Sequence, residues 1–114
     1  MKKAGLKKRP VYPVHPGEVL ADELAELNIS AAALARELHV PANRISQIVA
    51  GKRAMTADTA LRLEQWLGIS ADFWMNLQKR YEIDTAKEKL GEIIRNTVHT
   101  RLAAPSKSEA AAHP

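Results

Sequence analysis

Ser30-Ala-Ala-Ala-Leu-Ala-Arg-Glu-Leu-His-Val-Pro-Ala-Asn-Arg-Ile-Ser-Gln-Ile-Val-Ala-Gly-Lys-Arg53 holds two short amphipathic periods separated by a brief break. In the first period Leu34, Ala35 and Leu38 share one face, as helical spacing requires. Ser30 stands just before it as a good N-cap, because its hydroxyl can accept from an amide the helix leaves unpaired. Pro41 opens the second period, where the amide it lacks would be unpaired in any case. Ile45, Ile48 and Val49 then form an inner face, and Gly51 stops the helix. Ala35 is expected where the two helices cross, since a small side chain lets them approach. Val40 plugs the turn into the core, and Ile45 and Ile48 fix the angle of the second helix. Helices of about eight residues on a three- or four-residue turn have the dimensions of a helix-turn-helix.

The flanking sequence extends this pattern without changing its class. Val11 to Pro16 is too rich in proline for a helix and is expected to be an extended lead-in. From Gly17 onward Val19, Leu20, Leu24 and Leu27 mark the stripe of a first helix. Glu18, Asp22, Glu23 and Glu26 lie outside it, the early acids favoured by the helix dipole. Downstream, Thr56 caps a fourth helix with Asp58 in its first turn and Leu61, Leu63, Trp66 and Leu67 as apolar positions. Gly68 is expected to end it in the left-handed conformation. Ser70 caps a fifth helix carrying Phe73, Trp74, Leu77 and Tyr81. A last helix, about residues 85–97, places Ala86, Leu90, Ile93 and Ile94 on one stripe, with Glu82 and Asp84 capping or solvating its start. No strand pattern and no internal repeat is present. The expected fold is therefore all-α. Its expected divisions are a basic, flexible arm over 1–14, a helical domain with a C-terminal extension over 15–100, and a disordered tail over 101–114 with too little apolar area to offset ordering.

Composition narrows the function classes. At 114 residues one domain is expected, and the absence of cysteine removes disulfides and thiolate metal sites. That absence fits a reducing cytoplasm, the expected location. The basic start is not followed by the apolar run of a signal peptide, and nothing approaches the roughly 20 apolar residues of a membrane span. The net charge of +4 is unevenly spread. Lys2, Lys3, Lys7, Lys8 and Arg9 occur with no acid among them. Arg44, Lys52 and Arg53 likewise fall in a stretch, 41–55, that has no acid. Such stretches form either a solvated face or a face that meets a polyanion. His15, His39, His99 and His113 are scattered, so no metal is expected, and no cofactor. No nucleophile-and-base motif or phosphate loop is present, and an enzyme is not expected.

With Val40, Ile45 and Ile48 turned inward, Ala42, Asn43, Arg44 and Gln47 point outward from the second helix of the motif. Asn and Gln can pair bidentately with adenine, and Arg with guanine, in the major groove. These four are the expected base-contacting residues. Ser30, Lys52 and Arg53 are expected on phosphates, and Lys7, Lys8 and Arg9 on phosphates or in the minor groove. An ordinary wet helix face is the alternative. Three bidentate-capable side chains, no acid and a turn of the right length on one element argue against it. Trp66, Phe73, Trp74 and Tyr81 fit core or dimer contacts better than a stacking platform. One helix-turn-helix reads only about one half-site, so a homodimer is expected. Leu90, Ile93 and Ile94 are its candidate interface, unless the last helix folds back on its own domain.

Several motifs together are more specific than any one alone: His15-Pro-Gly-Glu-Val-Leu20, Leu34-Ala-Arg-Glu-Leu38 and Val40-Pro-Ala-Asn-Arg-Ile-Ser-Gln-Ile48. They continue through Gly51-Lys-Arg, Thr56-Ala-Asp-Thr-Ala-Leu-Arg-Leu63, Phe73-Trp-Met-Asn-Leu-Gln78 and Tyr81. In these the chain resembles a known family, the HigA-type (VapI-like) antitoxins within the XRE, lambda-repressor-like helix-turn-helix proteins. The resemblance implies a compact five-helix domain that dimerises on a palindromic operator in double-stranded DNA. It further implies repression of the protein's own operon and direct neutralisation of a cognate toxin, usually a small ribonuclease. Two positions depart from the wider pattern: Ala31 where Gln is usual, and His39 where the turn favours Gly. A solitary XRE-type regulator without a toxin partner remains the alternative.

Overall fold

A computed structural model describes residues 12–101. The expected arm residues up to 11 and the expected tail from 102 onward lie outside them. Five helices follow in order, α1 (Pro16–Leu27), α2 (Ala31–Leu38), α3 (Ala42–Val49), α4 (Ala57–Leu67) and α5 (Ala71–Thr97). The chain divides into two compact units, residues 1–84 and 85–114. No helix among the described residues is long and apolar enough to cross a membrane.

The core lies in the first unit and uses the expected inner faces. Leu20 and Leu24 come from α1, Leu34, Ala35 and Leu38 from α2, and Ile45 and Ile48 from α3. Met55, Ala60, Leu63 and Trp74 complete it. α1 meets α3 so closely that a Cβ on Gly17 would lie 1.8 Å from the Ile48 carbonyl oxygen. Only glycine allows that approach. Not every apolar position is inside. Leu27, Leu61, Trp66 and Phe73 are exposed, whereas Trp74 is fully buried. The expected core-or-dimer role of the aromatic residues therefore separates residue by residue.

Local chemistry explains the helix ends. α1 begins one turn earlier in influence than its apolar pattern suggests, because His15 is its N-cap. The Gly17 amide donates to His15 Nδ1 at 2.8 Å, and the His15 amide donates to Glu18 Oε2 at 3.4 Å, closing a capping box. At the C-terminus Asn28 takes the left-handed conformation, and Ile29 N–H reaches back to the Leu24 carbonyl at 3.1 Å. Ser30 caps α2 as expected, accepting from the Ala33 amide at 3.0 Å. Gly68 ends α4 left-handed, as expected, and Ser70 Oγ accepts from the Phe73 amide at 3.1 Å. Thr56 occupies the N-cap of α4 but makes no side-chain cap bond.

One boundary differs from expectation. The fifth and last helices are a single helix, Ala71–Thr97, and Glu82 and Asp84 lie inside it instead of at a start. No glycine, proline or left-handed residue interrupts the chain between Tyr81 and Thr85. Two i,i+4 contacts, Gln78 Nε2 to Glu82 Oε2 at 2.9 Å and Arg80 to Asp84 at 3.3 Å, span the expected break.

Candidate nucleic-acid interface

The turn between α2 and α3 is His39-Val40-Pro41, the shorter of the two lengths the spacing allowed. His39 adopts φ 60°, ψ 46°, so it fills the left-handed position where glycine is commoner. Its amide donates to the Arg36 carbonyl at 3.2 Å, and the Val40 amide to the Ala35 carbonyl at 3.0 Å. These paired bonds reverse the chain and fix the exit from α2. Ala35 is buried, Val40 is half-buried, and Ile45 and Ile48 are fully buried. α3 is thereby held by one face, and its opposite face is left for other work.

On that opposite face Ala42, Asn43 and Gln47 are exposed, as expected. Ser46 joins them, its hydroxyl donating weakly to the Asn43 carbonyl at 3.4 Å. Lys52 and Arg53 are exposed in the loop after α3, and the Lys52 amide donates to the Gln47 carbonyl at 2.8 Å. Ser30 is exposed too, although its oxygen already serves the α2 cap. Lys7, Lys8 and Arg9 lie outside the described residues. Leu90, Ile93 and Ile94 are exposed along α5 in the second unit.

Arg44 departs from the expected free orientation. It is half-buried, and its NH1 pairs with Asp58 Oδ2 on α4. Asp58 is also held by Arg62 Nε, 3.2 Å from both of its oxygens. The second reach of Arg62, from NH1 to the Leu38 carbonyl at 2.8 Å, anchors this group to the end of α2. The bonds from Arg44, then those from Arg62, hold the Asp58 carboxyl below the usual carboxylate range. Arg44, Arg53, Ala54, Thr56, Asp58 and Thr59 line a shallow cleft of about 220 Å³ beside α3.

A second contact braces the loop that carries Lys52 and Arg53. With Nδ1 of His15 occupied by the Gly17 amide, its remaining ring nitrogen bonds the Arg53 backbone. The ring also packs edge-on against Tyr81, centroids 4.8 Å apart. Burial lowers the His15 pKa, against the raising effects of the Arg53 bond and the Glu18 charge. The sequence marked His15 only as a scattered histidine and as part of a matching motif. Its spacing to Glu18 was the available signal, with His in place of the usual Ser or Thr. Asp58 and Arg62 were likewise legible only as an i,i+4 pair, not as partners of Arg44.

A helix-turn-helix family model matches residues 20–74. The chain is 44% identical to virulence-associated protein I of Dichelobacter nodosus over 86 residues, 75% of this chain and 78% of that protein. The family is settled by that match. The chain belongs to the HigA-type, VapI-like helix-turn-helix proteins. Solved structures agree. An addiction-module antidote protein of the HigA family from Coxiella burnetii has a TM-score of 0.77 at 46% identity, covering 79% of this chain and 99% of that one. Pseudomonas aeruginosa antitoxin HigA, solved with the higBA promoter, has a TM-score of 0.76 at 46% identity, covering 78% and 98%. This HigA-type family consists of DNA-binding regulators and antitoxins, not enzymes.

Proposed function

We propose that the chain is a sequence-specific DNA-binding antitoxin that binds a palindromic operator as a homodimer, represses its own operon and neutralises a cognate ribonuclease toxin by direct binding. The observation that carries the DNA half is α3 itself. Its inner face is locked into the core while Ala42, Asn43 and Gln47 stand exposed, next to an acid-free loop bearing Lys52 and Arg53. Asn43 and Gln47 supply bidentate amides for adenine, Arg44 supplies a fork for guanine, and Ser30, Lys52 and Arg53 hold phosphates. Lys7, Lys8 and Arg9 add sequence-independent attraction that salt weakens. Homology supports this assignment, since the similar Pseudomonas protein was solved with promoter DNA. A DNA partner supports a cytoplasmic location.

The toxin half is supported by the family and by the naming of similar proteins as antitoxins. Its test is co-expression with the product of a neighbouring short ribonuclease-like gene. A stable complex that abolishes the ribonuclease activity is expected. Repression without any complex would make the protein a solitary regulator.

Base reading is tested by Asn43→Ala and Gln47→Ala in gel-shift titrations. Each is expected to cost operator binding about 1–3 kcal/mol and to relax preference at one base pair, with binding to random duplex changed less. Two variants that match the parent on both duplexes would remove α3 as the reading element.

A further inference from the structure

The chain of contacts from the end of α2 to α3 has a role that stability does not explain. Arg62 is tied at NH1 to the Leu38 carbonyl and at Nε to both oxygens of Asp58. Asp58 in turn holds Arg44 through NH1 alone. The carboxylate is half exposed, and exposed ion pairs add little to folding stability. Yet this is the first acid after the acid-free stretch, and it stands beside the cleft next to α3. A carboxylate next to a surface that meets phosphates is costly for binding unless it performs a task there.

We infer that Asp58 is a positioning residue for base recognition, fixing the Arg44 guanidinium so that its unpaired edge faces the groove in one orientation. The inference rests on the DNA-reading function proposed above. A guanidinium carries five donors in a rigid planar fork. Asp58 occupies NH1, and among the described residues the Nε and NH2 edge of Arg44 has no partner. That edge retains the two parallel donors a bidentate contact to guanine needs. An arginine on a long flexible stem loses rotamer freedom when it binds, and one already held loses less. The anchor on the α2 backbone makes the support rigid, because Asp58 is itself clamped by Arg62. Recognition specificity therefore extends to α4, outside the helix that touches the bases.

The test uses wild type, Asp58→Asn, Arg44→Ala and the double variant, each at full length. Binding is measured to a duplex from the protein's own promoter and to a random duplex of equal length. Asp58→Asn removes a negative charge from the basic face, so random-duplex binding is expected to tighten or stay equal. Promoter binding is expected to weaken about tenfold, in the range for neighbours coupled within one network. In the Arg44→Ala background the same change is expected to cause no loss of promoter binding. Thermal unfolding of each variant checks that the fold is intact. Tighter promoter binding by Asp58→Asn would overturn the inference and make Asp58 a competitor of DNA for Arg44. Equal weakening on both duplexes, or the same loss without Arg44, would also overturn it. A wild type with no preference for its promoter would instead remove the DNA-reading function on which the inference stands.

Discussion

Among single residues, His15 combines a helix cap, a brace and a titratable group. Its cap requires the neutral ring, because Nδ1 accepts from the Gly17 amide, whereas the bond to the Arg53 backbone favours the charged form and survives protonation. Protonation would turn the acceptor into a donor and remove the cap. The sign of the pH effect follows from the lowered pKa. The unfolded chain takes up a proton near the ordinary value of 6.5, and the folded protein only below that. The stabilisation is thus fully present above pH 6.5 and is lost as the pH falls through the lowered folded value. Urea unfolding at pH 7.5 and pH 5 is expected to show this loss in the parent and a flatter response in His15→Asn, which keeps a capping oxygen. Removing the cap with His15→Ala is expected to cost about 0.5–2 kcal/mol at pH 7.5, the usual worth of a side-chain N-cap. A parent whose stability is the same at both pH values would remove His15 from this role.

At the level of helices, the turn between α2 and α3 shows a sequence accepting a small local penalty. His39 is held left-handed at φ 60° where glycine carries no steric cost, as is Asn28 after α1 at φ 58°. Asn is the better tolerated of the two, since its side chain suits that region. His39→Gly is expected to stabilise the fold by a few tenths to about 1 kcal/mol, and Asn28→Gly by less, in thermal unfolding. The helices, their order and their inner faces were legible because apolar periodicity and caps such as Ser30, Gly68 and Ser70 are local signals. The break expected near Thr85 was not real, because Glu82 and Asp84 suit a helix interior as i,i+4 partners as well as they suit a start. In the candidate site, Asn43 and Gln47 were legible from spacing alone. The Arg44 pairing was not, because Asp58 lies 14 residues away and only tertiary packing brings α4 beside α3. Met55 and Gln78 were hidden for the same reason: the Met55 amide donates to Gln78 Oε1 at 2.8 Å, a bond spanning 23 residues.

For the whole molecule, the proposed binding of an operator as a homodimer requires a surface that pairs two copies of the chain. Among the described residues, Leu90, Ile93 and Ile94 are 47%, 59% and 48% exposed on the part of α5 that lies in the second unit. Exposed apolar stripes often mark association sites, and we propose this one as the dimer interface. Light scattering on an Ile93→Asp, Ile94→Asp double variant is expected to give a folded monomer with weakened operator binding. An unchanged dimer would move the interface elsewhere. The proposed reading of a palindrome by paired α3 helices is tested most directly by DNase footprinting of the protein on its own promoter. Two protected half-sites about 10 base pairs apart, centre to centre, are expected, related by a two-fold axis and lost together in Asn43→Ala. Protection of a single unpaired site, or uniform protection without sequence preference, would contradict it.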